Sequence, residues 1–262
     1  MLLKDIINII ESVAPLSNQE DWDNSGLQIG DKEASVSSVL LCTDVTDSIV
    51  DEAIRKGCQL IVSHHPLLFH PLHTIQSNTL QGRAVIRCIR EGIGIYSSHT
   101  PMDCYLHGVS GRMAELLGVK DYRILHPTKS EDVGFGVIGE LEEAIPFEQL
   151  LAKVKEVFEV PAVRYMLPTQ GMEQKVKRIG MCGGAAAEFA EDAIEQGAEV
   201  YISADWKHHQ FLEYAGKIGV MDIGHFESEQ HTKDVMAALL IEATDEVEVI
   251  LAESDKSPVL AY

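Results

Sequence analysis

Three short segments carry side chains of the kinds that bind divalent metal ions or move protons. They are Ser63-His64-His65-Pro66, His99-Thr100-Pro101-Met102-Asp103 and Gly224-His225-Phe226-Glu227-Ser228-Glu229. Along a strand, neighbouring side chains point to opposite faces, so His64 and His65 do not converge on one ion while the strand continues. Pro66 removes a backbone donor and pushes His65 out of the helical region, which ends the strand there. The two imidazoles are then free to splay toward two neighbouring ions. The chain has 11 histidines, and an adjacent pair alone equally fits a solvated loop, so further ligands are needed.

Asp103 offers a hard carboxylate. If a helix starts near His225, that residue and Glu229 lie four apart on one face, the spacing by which a single helix supplies two ligands. Taken alone, the pair also fits a surface ion pair worth a few tenths of a kcal/mol. Gly224 frees the backbone at that turn. Together the segments give His64, His65, Asp103, His225 and Glu229. Imidazole with carboxylate suits zinc, iron(II) or manganese. Five ligands are too many for one zinc with an open position and fit two ions if Glu229 bridges them.

The elements that must position these residues are legible because the chain repeats itself. DEAIRKGCQLIVSHH (51–65) aligns without a gap on EDAIEQGAEVYISAD (191–205), a shift of 140 residues that also carries Cys42 onto Cys182. Each copy reads as strand (SVLLCTD; KRIGMCG), helix, glycine at the helix end (Gly57; Gly197) and short buried strand (QLIVS; EVYIS). Further strands follow at GIGIYSS (92–98) and KIGVMDI (217–223), with FGVIGEL and AVRYML between the copies. The expected fold is α/β: two similar lobes from an internal duplication, each a mixed, mostly parallel sheet flanked by helices. The division is expected at 1–125 and 126–262, with the lobes interwoven. In such sheets ligands gather at the carboxyl ends of strands, where the copies diverge: Ser63-His64-His65 against Ser203-Ala204-Asp205.

Composition narrows the function. Forty-one acidic against 21 basic residues give a net charge of -20, which disfavours direct nucleic-acid or anionic-membrane binding. No segment approaches the ~20 apolar residues needed to span a bilayer, and the start, MLLKDIINIIESV, lacks the features of a signal peptide. Five cysteines, odd in number and without a C-x-x-C, read as free thiols in a reducing cytoplasm. Trp22-Asp23-Asn24-Ser25-Gly26-Leu27 reads as a packed loop after the first helix.

That Trp22–Leu27 stretch, with the Ser63–Pro66, His99–Asp103 and Gly224–Glu229 segments, resembles the Nif-three-like family, also labelled GTP cyclohydrolase 1 type 2 homologs. The resemblance implies a two-lobed α/β fold, a ring-shaped homohexamer and a dinuclear metal centre held by His64, His65, Asp103, His225 and Glu229. It places His99 and Thr100 close by. Its label implies a hydrolase that opens the purine ring of GTP and releases formate; for a metal-dependent hydrolase of any kind, Glu227 or His99 is the expected proton shuttle. No G-x-x-x-x-G-K-[ST] loop for a triphosphate is present. A metal-dependent phosphoesterase and a metal-binding scaffold without turnover are the alternatives.

Overall fold

Short apolar runs that are buried along their whole length need hydrogen-bonded neighbours on both sides, and this requirement organises the protein. The structure is a computed structural model that describes residues 1–260. The chain begins with helix α1 (Leu3–Glu11), then strands β1 (Gly26–Ile29) and β2 (Ser38–Cys42), α2 (Asp47–Lys56), β3 (Leu60–Ser63), α3 (Leu80–Glu91) and β4 (Gly94–Ser97). The one-turn α4 (Thr100–Asp103) and α5 (Val109–Leu117) lead to β5 (Val119–Ser130), β6 (Val133–Pro146), α6 (Phe147–Val157), β7 (Arg164–Met166) and β8 (Lys175–Ala185). Last come α7 (Ala190–Glu195), β9 (Val200–Ala204), α8 (His208–Tyr214), β10 (Gly219–Asp222), α9 (His225–Glu229), α10 (Thr232–Ala243) and β11 (Glu248–Leu251).

Two compact units result. The first comprises 1–102 with 232–256, and the second comprises 103–231 with the residues from 257 on. The first holds a sheet of order β1-β4-β3-β2-β11, in which β4, β3, β2 and β11 are parallel and β1 is antiparallel. Every residue of β2, β3 and β4 is buried, as expected of parallel strands covered on both faces. Thr46 caps α2 by accepting from the Ile49 N–H, and Gly57 ends it at φ 68°. Thr79 and Gly92 do the same for α3.

The second unit holds a sheet of order β5-β6-β8-β9-β10-β7. Its parallel centre, β8-β9-β10, is flanked by antiparallel β7 on one side and the β5–β6 hairpin on the other. Strand order and direction in β7-β10-β9-β8 match β1-β4-β3-β2. The register repeats as well: Val39↔Leu60 and Leu41↔Val62 recur as Ile179↔Val200 and Met181↔Ile202, the same shift of 140 residues seen in the sequence. Gly197 takes φ 76° at the position of Gly57. Both sheets are thus mixed and flanked by helices, as read from the pattern.

The boundary expected at 125/126 falls inside β5, within the second of the two compact units. The physical reason is that the long β5–β6 hairpin pairs onto β8, whereas the chain's last strand, β11, returns to β2. Helix α3 and strand β5 also go beyond the sequence reading. Among the described residues, no helix is long and apolar enough to cross a membrane.

The return of β11 is fastened by a buried acid. The Glu52 carboxylate accepts from the backbone N–H groups of Glu253 (3.0 Å) and Ser254 (2.9 Å), from the Ser254 hydroxyl, and from Lys56 Nζ (2.9 Å). Burial would push its pKa up, but these donors outweigh burial and hold it at about 2 against an ordinary 4.5. A depressed carboxylate pKa contributes stability that is fully present above the ordinary value and lost as pH falls through the depressed one. Glu52→Ala is therefore expected to cost about 1–3 kcal/mol in denaturant unfolding at pH 7, because two part-buried N–H groups lose their acceptor. The deficit relative to wild type should shrink between pH 4.5 and about 2; a deficit unchanged across that window would refute the assignment.

Candidate metal centre

In the first unit the backbone ladder runs past β3. His64 N donates to Cys42 O (3.1 Å) and His65 N to Thr43 O (2.9 Å), so both histidines sit on a fixed backbone. The buried Ser63 hydroxyl donates to the His65 carbonyl (2.8 Å) and pairs with the Ser97 hydroxyl (2.8 Å). The two rings lie side by side, their planes 44° apart and their centroids separated by 4.9 Å.

Each imidazole is held by Nδ1. His64 Nδ1 lies 3.0 Å from the Ser98 carbonyl, which only accepts, so Nδ1 carries the hydrogen and Nε2 the lone pair. His65 Nδ1 meets the Asp44 carboxylate at 2.9 Å, with the same consequence. His99 follows β4; its backbone N–H donates to Ser25 Oγ (3.0 Å) and its Nδ1 meets Asp23 Oδ1 at 2.8 Å. Ligand nitrogens of His64, His65 and His99 all lie within 4.8 Å of one another.

Asp23 organises this corner. Beyond His99, it accepts from Asn24 N (2.7 Å), Ser25 Oγ (2.8 Å), Thr100 N (3.2 Å) and Thr100 Oγ1 (2.6 Å). Burial opposes its charge, yet His99, Thr100 and Ser25 together hold the carboxyl well below the usual range, so it stays ionised. The packed loop read from Trp22–Leu27 is present, and in it sits the residue that orients His99.

The second unit places its residues just as deliberately. Asp222, at the end of β10 and buried, accepts from Trp206 N (3.1 Å) and Gly224 N (3.2 Å) and is paired with Arg164 (3.0 Å). This fixes the turn at Gly224, whose φ of 86° is one that residues with a Cβ rarely adopt, and α9 begins there. His225 Nδ1 meets Asp205 Oδ2 at 2.8 Å and its Nε2 lies 3.2 Å from Glu229 Oε2. Glu229 is 3% exposed. One of its carboxylate oxygens lies within 4.8 Å of one from Asp103.

Two carboxylates so close, one of them buried, repel unless a cation or a proton stands between them. Among the described residues, Cys182 is in none of the groups whose donor atoms converge, and burial, with Asp103 and Glu229 nearby, pushes its thiol far above the ordinary pKa. The donors that remain are imidazole nitrogens and carboxylate oxygens, a set that suits zinc, iron(II) or manganese. Glu227 is half buried, with its carboxylate folded against Gly224 of its own turn.

Sequence reasoning missed Asp44, Gly183, Gly184 and the orienting role of Asp23. The repeat contained a signal for three of them. Under the shift of 140 residues Thr43 and Asp44 fall on Gly183 and Gly184. Where the first unit supplies a carboxylate to His65, the second supplies bare backbone, and a Cβ built on Gly184 would lie 2.3 Å from Glu229 Oε1.

Fold and donor set together define a class: two-sheet α/β proteins with imidazole–carboxylate clusters of metal-ligating type at their strand ends. The Duf34/NIF3 (NGG1p interacting factor 3) family model matches residues 1–258, and the chain belongs to that family. It is 35% identical to the GTP cyclohydrolase 1 type 2 homolog of Clostridium acetobutylicum, over 91% of this chain and 89% of the relative. It is 34% identical to the one of Clostridium perfringens, over 98% of both. The crystal structure of a Staphylococcus aureus hypothetical protein superposes with a TM-score of 0.91 at 26% identity, covering 100% of this chain and 99% of that one. A Bacillus cereus protein related to NIF3 gives 0.92 at 22% identity over 100% and 99%, a likeness of fold.

Gly184→Ala combines a φ of 68° with that collision, so it is expected to destabilise the chain by about 2 kcal/mol or more. Thermal unfolding checks this, with Gly57→Ala as the control for φ alone, since nothing lies within 4 Å of a Cβ there. Equal losses in the two variants would count against close packing of Gly184 on Glu229.

Proposed function

We propose that His64, His65, Asp103, His225 and Glu229 hold two divalent cations and that the protein is a metal-dependent hydrolase. The observation that carries this reading is the common treatment of three imidazoles. His64, His65 and His225 each have Nδ1 engaged by an oxygen acceptor, from Ser98, Asp44 and Asp205; this leaves Nε2 of His64 and His65 as the lone-pair nitrogen and sets Nε2 of His225 3.2 Å from Glu229 Oε2, two ligating atoms side by side. The Asp103–Glu229 pair supplies the negative charge that a cation would neutralise.

When bound, such a pair of cations supplies Lewis acidity that makes water nucleophilic near neutral pH and polarises the group attacked. The chain's own contribution is proton handling and orientation. Ionised Asp23 holds the His99 ring at Nδ1 and fixes its plane, so His99 is the better-placed shuttle; Glu227 is the second candidate. The names of the relatives, GTP cyclohydrolase 1 type 2 homolog, support a purine nucleotide as substrate, with hydrolytic opening of the five-membered ring and release of formate. A phosphoester substrate would use the same residues. The family's description as an interacting factor favours a metal-binding scaffold as the second reading. A homohexameric ring in the cytoplasm completes the proposal; five buried free thiols support a reducing compartment.

Metal analysis of protein as isolated is expected to give two divalent ions per chain. Formate release from GTP should stop on chelation and in His65→Ala and Glu229→Ala. Bound metal without turnover of any nucleotide would favour the scaffold, and material without metal would end both readings. Light scattering is expected at six chain masses, and a single-chain mass would remove the ring.

A further inference from the structure

Within the first unit, a cavity of about 650 Å³ opens beside His99. Its size is that of a small-molecule site. Trp22, Phe69, Leu72 and Ile75 form much of its wall, and all four are exposed, Trp22 by 59%. Among the described residues no lysine or arginine lines it, and the one acid in the wall, Asp23, is already engaged by His99 and Thr100. The surface is therefore apolar and aromatic, and unsuited to a phosphate.

The wall is built rather than incidental. Asn24 Nδ2 donates to the Leu68 carbonyl (2.6 Å), and Leu68 N donates to Gln28 Oε1 (3.2 Å). Two side chains of the Trp22–Ile29 stretch thus clamp the backbone next to Phe69 and hold its ring 6.0 Å from that of Trp22. Trp22 and Phe69 in turn lie 5.8 and 6.1 Å from the His99 ring, which joins the cavity to the imidazole cluster. The repeat supplies an independent observation. Residues 64–93 connect β3 to β4, but 205–218 suffice for β9 to β10, and Phe69, Leu72 and Ile75 all lie in the longer connection.

We propose that this cavity is the subsite for a flat, uncharged heteroaromatic ring of a small-molecule ligand, whose remainder extends toward His99. The inference deepens the reading of the imidazole cluster as a reaction site, and rests on it for what the ring is attached to. Ring binding itself needs only Trp22 and Phe69. Stacking on exposed aromatic side chains supplies affinity for any base, because every base has a π-face.

The test uses the full chain and the emission of Trp22, since the chain's second tryptophan, Trp206, is buried. Guanosine and adenosine are expected to quench it saturably and ribose and ribose 5-phosphate are not, with the response lost in Trp22→Phe. Phe69→Ala and Ile75→Ala, checked for unchanged melting, should bind the nucleosides about tenfold more weakly. Chelated protein should bind them as untreated protein does, which separates failure of this subsite from failure of the metal-dependent reading. Equal quenching by ribose, or wild-type affinity in Phe69→Ala, would overturn the proposal. So would emission that follows protein concentration and ignores nucleoside, which would mean that a second copy of the chain covers the patch.

Discussion

The hydrogen bond made by the inner nitrogen of each imidazole is the interaction on which the rest depends. A neutral histidine has one donor and one acceptor nitrogen, and a ring free to turn presents either. Here the Ser98 carbonyl and the Asp44, Asp23 and Asp205 carboxylates take the Nδ1 of His64, His65, His99 and His225. That choice fixes both the ring plane and the nitrogen that faces outward. The acceptors themselves lie at strand ends: Asp44 after β2, Ser98 after β4 and Asp205 after β9. Sheet register thereby becomes a statement about chemistry. A slip of one residue in Cys42↔Ser63 or Ser63↔Ser97 would turn each side chain to the other face and separate ring from acceptor.

The two units show how one frame carries different chemistry. Strand order and register repeat, so equivalent positions are equivalent in space within each sheet. At two of them the residues are exchanged. His65 with its partner Asp44 corresponds to Asp205 with Gly184. In the second unit the aspartate no longer sits beside an imidazole of its own strand end but holds His225 from the neighbouring strand end, and the missing side chain at 184 leaves room for the Glu229 carboxylate. Asp205 adopts φ 56°, a left-handed conformation that aspartate tolerates better than most residues. The buried strands beneath keep their order and register while their side chains change in kind, Leu40, Ile61 and Ile95 standing where the second unit has Gly180, Tyr201 and Val220.

Much of this was legible because burial and catalysis leave different marks. The strands at 38–42, 60–63, 179–182 and 200–204 announce themselves as apolar runs after capped helices, and the repeat made each reading check the other. The ligand candidates stood out through residue type at strand ends. What stayed hidden were the partners, because an aspartate that orients a histidine from 76 residues away, as Asp23 does for His99, has no local pattern. Strand β5 was hidden for a related reason. VKDYRILHPTKS is largely exposed, its pairing comes from β6, and its charges obscure the alternation that a half-buried strand would display.

Charge links the site to the stability of the chain. A protein with a net charge of -20 already resists compaction, and it nonetheless brings Asp103 and Glu229 within 4.8 Å of each other in one unit. Elsewhere its buried acids are answered by named donors: Glu52 by two backbone N–H groups and Lys56, Asp255 by Thr43 and Lys233 at 2.9 Å each, Asp222 by Arg164. At the Asp103–Glu229 pair, where His225 Nε2 lies 3.2 Å from Glu229 Oε2, the folded chain gathers carboxylate charge that a divalent ion would neutralise. An ion that binds the folded chain and not the unfolded one returns its binding free energy as folding stability. With the ion in place, the same two carboxylates would therefore become part of what holds the fold.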